Sequence, residues 1–223
     1  MKMRRVDIIE DQIQRAPRAI SVDLDVLDWL KVWEANELYF DGERKFGYGG
    51  YQYDGRWRKI VDRLIDNYDL GAESKLLDVG CAKGYLVNDF NLNTAVGAAS
   101  GVDISAYPLI CGARENMQGT FICCNATNLP FEDNSFEIVV CKDTLHNLLT
   151  ENELLKALAE LQRVAKRAWV RVGAYNTEKQ KEKLDNWATF ATCYFKPEKW
   201  MELFAKAGFQ GDFDWFHPSD TIR

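Results

Sequence analysis

The spacing of apolar residues changes character near residue 74. Before it the repeat is helical. Val26, Leu30 and Trp33 recur at one helix face, and so do Trp57, Ile60, Val61, Leu64, Ile65 and Tyr68. Between these two helices, Asp41–Gly55 carries five glycines and tyrosines at 48, 51 and 53, which predicts a loop. From Lys75 onward, short apolar runs alternate with helical stretches. The strand candidates are Lys75–Val79, Ala99–Asp103, Thr120–Cys124, Phe136–Cys141 and Ala168–Val172, with starts 24, 21, 16 and 32 residues apart. That is the rhythm of βαβ units around a parallel sheet. Ile138-Val139-Val140-Cys141 is continuously apolar, as a strand covered on both faces must be. Thr150 and Glu153 form a capping box ahead of the stripe Leu154, Leu158, Leu161 and Val164. Pro197 suits a first helical turn and Gly208 the residue past a helix whose apolar face is Trp200, Leu203, Phe204 and Ala207. The chain is expected to divide into a helical N-terminal cover, residues 1–73, and an α/β core, residues 74–223.

Composition narrows the function classes. A length of 223 residues is enough to bury a core without disulfide or metal staples. Lys plus Arg is 28 and Asp plus Glu is 34, so the net charge is 28 − 34 = −6. Broad binding to a phosphate backbone needs a basic face, which disfavours nucleic acid. No apolar run reaches the roughly 18 residues of a membrane span, and the basic start has no apolar stretch behind it. The six cysteines, at 81, 111, 123, 124, 141 and 193, form no C-x-x-C pair and read as reduced core thiols of a cytoplasmic protein. With only His146 and His217, a mixed Cys and His zinc site is not expected, and no metal is predicted.

The chemistry centres on Leu76-Leu77-Asp78-Val79-Gly80-Cys81-Ala82-Lys83-Gly84-Tyr85-Leu86, a strand running into a glycine turn and then a helix. Such a turn brings backbone N–H groups and a helix N-terminus to a ligand, with glycine where a side chain would block the approach. A phosphate loop fails, because no Gly-Lys-Ser or Gly-Lys-Thr follows at the required spacing. A dinucleotide fingerprint fits poorly, because positions 80, 82 and 85 are Gly, Ala and Tyr. Positions 78, 80, 82 and 84 read Asp, Gly, Ala, Gly. This resembles motif I of the class I S-adenosylmethionine-dependent methyltransferases, with alanine in place of one glycine. Other features stand in the family's order: Gly101-Val102-Asp103-Ile104-Ser105, Asn125-Ala126-Thr127, Leu129-Pro130-Phe131-Glu132-Asp133-Asn134-Ser135-Phe136, Leu145-His146-Asn147-Leu148 and Ala207-Gly208-Phe209.

The resemblance implies a Rossmann-like, doubly wound, mostly parallel sheet with helices on both faces. It implies S-adenosyl-L-methionine as cofactor and S-adenosyl-L-homocysteine as product. Asp78, Gly80, Cys81, Ala82 and Gly84 would hold the methionine part, Asp103 with Ile104 the ribose, and Asn125-Ala126 the adenine. A carboxylate offers two oxygens to a vicinal diol. Cys81 also reads as small-residue packing, Asp78 as a turn cap, and Cys123 and Cys124 as core packing. Lys142 and Asp143 end the fourth strand, where ligands gather in open α/β sheets; Lys142 is counted with the cofactor contacts. The family's seventh strand is antiparallel, yet only seven residues follow Phe216. The final hairpin is therefore truncated or built differently.

His146, with Asp143, is the candidate base for a hydroxyl acceptor; the alternative is a hydrogen-bonding histidine at a helix start. Residues 41–59 hold Arg44, Lys45, Arg56, Arg58 and Lys59 together with Tyr48, Tyr51, Tyr53 and Trp57. On an acidic chain this loop invites an anionic acceptor, phosphorylated or nucleotide-linked, with Tyr48, Tyr51, Tyr53, Arg56 and Trp187 touching it; the alternative is an amphipathic connector. Asn186–Phe195 is a second candidate lid. The glycine-tyrosine loop also looks like a bacterial type-11 subgroup associated with sugar or surface-polysaccharide pathways. The expected reaction is methyl transfer to an O or N atom of a small polar molecule. The rivals are a non-catalytic cofactor-binding partner protein, an RNA or protein methyltransferase, and a nicotinamide oxidoreductase. Monomer and homodimer both fit the sequence.

Overall fold

A computed structural model describes residues 3–9, 24–187 and 189–217. Its elements in chain order are α1 (Val26–Trp33), α2 (Glu37–Asp41), α3 (Trp57–Tyr68), β1 (Lys75–Val79), α4 (Tyr85–Asn91), β2 (Ala98–Asp103), α5 (Ala106–Arg114), β3 (Thr120–Cys123) and β4 (Phe136–Lys142). A 3-10 turn (Leu145–Asn147) follows, then α6 (Glu151–Val164), β5 (Ala165–Gly173), α7 (Glu178–Trp187), α8 (Pro197–Lys206) and β6 (Asp212–Phe216). The sheet order is β3-β2-β1-β4-β5-β6, and every pairing is parallel. Strand order reverses between β1 and β4, so the loops leaving their C-terminal ends diverge and open a crevice.

Alternate strand residues feed two apolar layers. Leu77, Val79, Val139, Cys141, Val170 and Val172 pack with α6 and α8. Leu76, Ile138, Val140 and Trp169 pack with α3 and α4. Within the segment before residue 74, α3 belongs to the helical layer of the sheet, α1, α2 and the loop up to Arg56 precede it, and residues 10–23 of the expected cover lie outside the described residues. The short helix α2 is additional to the predicted elements. Its N-cap is Asn36, whose side chain accepts from Leu38 N–H.

The predicted helix signals act as caps. Thr150 Oγ1 accepts from Glu153 N–H at 3.2 Å, while Glu153 reaches back to Leu149 N–H at 3.0 Å rather than to Thr150. At the end of α8, Gly208 has φ of +67°. Phe209 N–H donates to Phe204 O and Gly208 N–H to Ala205 O, with the Phe204 and Phe209 rings 5.2 Å apart. That is a Schellman ending with its apolar contact. Strand β5 starts at Ala165, earlier than the predicted Ala168, because α6 passes into it without a loop.

No antiparallel seventh strand occurs among the described residues. Strand β6 lies parallel to and directly on β5, and its outer edge is covered by residues 4–6. Val6 N–H donates to Phe213 O and Phe213 N–H to Arg4 O, at 2.9 and 3.0 Å. Arg4 pairs with Asp212 at 2.6 Å and Arg5 with Asp214 at 3.1 Å. Pairing and charge on the edge remove a template for aggregation. The segment then dives inward. Ile8 is fully buried, Trp169 indole N–H donates to Val6 O at 2.8 Å, and Arg63 donates to Ile8 O at 3.0 Å.

Because Ile8 is a core residue despite its place in the chain, Ile8→Ala is expected to cost about 2–4 kcal/mol in chemical denaturation. A loss below about 0.5 kcal/mol, the range of surface substitutions, would show that the segment is not docked.

Candidate active site

The crevice between β1 and β4 is walled on one side by the turn 80–84. Gly80, Ala82 and Gly84 have φ of +81°, +51° and +77°. Position 82, where the family motif has glycine, is thus a left-handed residue that alanine occupies at a cost in backbone energy. A Cβ at Gly80 would lie 2.0 Å from Thr144 Oγ1, so the β1 and β4 walls touch there. Gly80 and Cys81 N–H both donate to Val102 O, Ala82 N–H to Asp103 Oδ2, and Gly84 N–H to Cys81 O. These four amides are committed within the protein, which separates the turn from a phosphate cradle. Cys81 turns inward, and a Cβ at Gly101 would approach its sulfur to 2.7 Å. Its side chain packs the floor.

Two carboxylates face the crevice from adjacent strands. Asp103 accepts from Ser105 N–H through Oδ1 and from Ala82 N–H through Oδ2, each at 2.9 Å. Each oxygen keeps a second lone pair, which suits a diol. Burial pushes its pKa up. Asp78 is 6% exposed, and among the described residues no donor is hydrogen-bonded to it. Burial raises its pKa to about 7, with Lys142 opposing and Asp103 adding to the rise. A buried carboxylate without a donor fits an incoming ammonium group. Ile104, 67% exposed beside Asp103, offers an apolar surface to a planar base.

Asn125 is engaged by its own loop. Its Oδ1 accepts from both N–H and Oγ1 of Thr127, at 2.9 Å each. Both lone pairs are engaged, leaving its amide NH2 and Ala126, not its oxygen, for a base. Cys123 differs from the expected core packing, being exposed on the edge strand β3 with Sγ 3.4 Å from Ile104 O.

The opposite wall is charged. Lys142 pairs with Asp143 and lies 5.4 Å over the Trp57 ring. Arg171 donates to Asp143 Oδ2 at 3.2 Å and lies 3.8 Å from Asp214. Desolvation would raise the pKa of Asp143, but the Lys142 and Arg171 cations hold it below the usual carboxylate range. His146 is 3% exposed, and burial lowers its pKa to about 4, so the ring is neutral. Its Nδ1 accepts from Gly173 N–H at 2.9 Å. With Nδ1 accepting, the proton sits on Nε2, and the ring is a donor rather than the expected base.

The aromatic loop is clamped rather than open. Tyr48 stacks on Phe40 at 5.6 Å, and Tyr53 OH binds Asp89 on α4. Tyr51 stacks on Tyr85 at 4.9 Å. Arg56 is paired with Asp54, and Arg44 donates to Gly47 O and Tyr48 O, so the loop spends these cations on itself. Trp187 ends α7, and its side chain lies outside the described residues. Asp41 and Lys83, which sequence reasoning passed over, join the cover to the turn. Lys83, its side chain 5% exposed, donates to Asp41 Oδ1 at 2.9 Å and lies 3.3 Å from Glu115. Asp41 also accepts from Tyr107 OH at 2.9 Å and Tyr51 N–H at 3.2 Å. Tyr85 OH lies 2.8 Å from Tyr51 O and 2.9 Å from Glu115, closing a ring of contacts. The only sequence signal was a lysine amid small residues. Further along, Ser105 Oγ donates to Ala35 O at 2.6 Å. The second candidate lid meets α1 and α2: Trp33 Nε1–H donates to Thr189 O at 3.2 Å, and Tyr39 meets Phe190 edge-on at 4.5 Å.

Well below about pH 4 Asp78 is protonated in both folded and unfolded chains; between about pH 4 and about pH 7 only the unfolded chain loses that proton readily, so stability falls over this window and ionised Asp78 costs stability. Asp78→Asn is expected to gain stability on the order of a few kcal/mol at pH 8 in the ligand-free protein, read by denaturation, while losing S-adenosylmethionine binding. A variant that binds the cofactor normally contradicts the assignment. Asp41→Asn is expected to weaken cofactor binding roughly tenfold in calorimetry, about the 1.4 kcal/mol of a charge-assisted hydrogen bond, without changing circular dichroism. Unchanged affinity would mean that the cover does not bear on the site.

Residues 77–168 match the family described as methyltransferase domain. The chain is 31% identical over 161 residues to arginine-hydroxylase NDUFAF5, mitochondrial, of Rattus norvegicus, covering 71% of this chain and 43% of that protein. It is 35% identical over 116 residues to demethylmenaquinone methyltransferase of Paenarthrobacter aurescens, covering 50% and 41%. The chain thus spans less than half the length of these curated relatives. Among solved structures, the [4+2]-cyclase SpnF shares the fold with a TM-score of 0.55 at 20% identity, over 86% of this chain and 73% of that one. No helix among the described residues is long and apolar enough to cross a membrane. Motif I, the Rossmann-like sheet and the domain match agree that the chain belongs to the class I S-adenosylmethionine-dependent methyltransferases.

Proposed function

We propose that the protein transfers a methyl group from S-adenosylmethionine to an O or N atom of a small polar molecule in the cytoplasm. The observation that carries the small-molecule reading is the contact between the α1–α2 segment and the 189–195 loop, through Trp33–Thr189 and Tyr39–Phe190. Segments that meet beside a crevice restrict what enters it and favour a compact acceptor. The cofactor, when bound, supplies a methyl already activated on a sulfonium. The chain's own residues bind and orient: Asp103 at the ribose, Ile104 and Ala126 at the base, Asp78 at the ammonium end. The acceptor would lie on the Lys142–Asp143–Arg171 side.

Anionic character of the acceptor rests on Lys142 and Arg171 rather than on the tyrosine loop, whose Arg44 and Arg56 are held within it. A sugar or nucleotide-linked acceptor of a surface-polysaccharide pathway is the finer form of this reading. A second reading follows from the likeness to NDUFAF5, named an arginine-hydroxylase: the acceptor would be an arginine side chain of a protein.

Incubation with S-adenosylmethionine and a panel of sugar phosphates, small carboxylic acids and arginine-containing peptides, read by mass spectrometry, separates these. The expected result is S-adenosylhomocysteine together with an acceptor heavier by one methylene. An arginine peptide heavier by one oxygen, without S-adenosylhomocysteine, would favour the second reading. No cofactor binding at all would contradict the proposal.

A further inference from the structure

We infer that His146 acts as a hydrogen-bond donor to the acceptor, and that the acceptor presents an oxygen anion, a carboxylate or an acidic enol or phenol, that is already deprotonated when it binds. This rests on the methyl-transfer reading and narrows it to a substrate class.

The geometry of the imidazole fixes its role. Gly173 ends β5, and its N–H points at His146 Nδ1 from 2.9 Å. A proton on Nδ1 would set two donors against each other, so the neutral ring carries its proton on Nε2. The backbone adds a second restraint. His146 O accepts from both Thr192 and Cys193 N–H, at 2.9 and 3.0 Å, tying the 3-10 turn to the lid loop. The ring cannot rotate to exchange its nitrogens without breaking into Gly173. Nε2–H has no hydrogen-bond partner among the described residues, so a ligand oxygen can take it.

The groups packed around His146 offer no strong alternative base. Asp143, three residues before it, keeps an unpartnered Oδ1, but Lys142 and Arg171 hold its pKa below the usual carboxylate range and make it a weak proton acceptor. Cys141 and Cys193 are buried thiols whose pKa values are pushed up. Tyr194, whose Cβ would meet a side chain at Gly173, donates its hydroxyl to Asp185. Asp214 is paired with Arg5. Asp78 lies across the crevice on β1, at the place assigned to the cofactor. An alcohol would therefore find only a weak base for its proton. An oxygen anion needs no such step: the oxygen–methyl bond forms, the carbon–sulfur bond breaks, the negative and sulfonium charges cancel, and no proton moves. His146 Nε2–H would donate to that anion, with Lys142 and Arg171 nearby, each shared with the Asp143 carboxylate.

The test uses the full chain with His217→Gln, which leaves His146 as the single histidine, in nitrogen-15 NMR with and without S-adenosylhomocysteine. The expected spectrum shows a protonated Nε2, a bare Nδ1, and no titration between about pH 6 and pH 8. A bare Nε2, or titration near the ordinary histidine value, overturns the inference. In turnover assays, benzoate and phenols of graded acidity are compared with benzyl alcohol. Methylation of the alcohol overturns the inference. Where an acidic acceptor is methylated, His146→Gln, which keeps a donor, is expected to stay within roughly tenfold of wild type, and His146→Leu to lose about a hundredfold. Absence of cofactor binding would sink the methyl-transfer reading alone, because the tautomer that NMR shows for His146 does not depend on it.

Discussion

The contact on which the site depends is the one between Gly80 and Thr144. Strand order reverses between β1 and β4, so their exit loops part and leave a crevice at the C-terminal edge of the open sheet. Position 80 closes its floor. Its left-handed φ and the absence of a Cβ let the first turn rest on the loop after the fourth strand. From that contact the rest follows. The turn's amides bend back onto Val102 and Asp103, which aims the Asp103 carboxylate, and the β4 loop delivers Asp143 and His146 to the facing wall.

The site is built from groups held in costly states. Asp78 is buried without a donor, Ala82 sits in a left-handed conformation, and burial holds His146 as a neutral ring. Each is tolerable because the two apolar layers over-determine the surrounding backbone. Each is also complementary to something a ligand carries: an ammonium, a close approach of the cofactor, an oxygen. The cover adds the remaining control, since Asp41 joins it at once to Lys83 in the turn, to Tyr107 on α5 and to the tyrosine loop.

Most of the sheet was legible from local pattern, because a doubly covered parallel strand must be a continuous apolar run, as Ile138–Cys141 is. Some family motifs turn out to be structural. The Leu129–Asp133 stretch is stapled to α6, where Glu160 accepts from Leu129 N–H and Arg163 donates to Leu129 O, Phe131 O and Asp133. Ala207-Gly208-Phe209 is a helix ending. What could not be read is long-range. The seat of residues 3–9 on β6 spans the whole chain. The Asp41–Lys83–Glu115 contacts join three segments that no periodicity links. Arg56 looked free for an anion, and a neighbour two residues away, Asp54, holds it. The role of His146 turned on the amide of Gly173, a group with no signature in the side-chain sequence.

The most direct measurement is a crystal structure of the full chain with S-adenosylhomocysteine. The adenosyl group is expected between Asp103 and Asn125-Ala126, against Ile104, with the ribose hydroxyls on the Asp103 carboxylate and the amino-acid end on Asp78. The sulfur would face the Lys142–His146 wall. A ligand seated outside the β1–β4 crevice, or one bound there without contact to Asp78 and Asp103, would contradict this account.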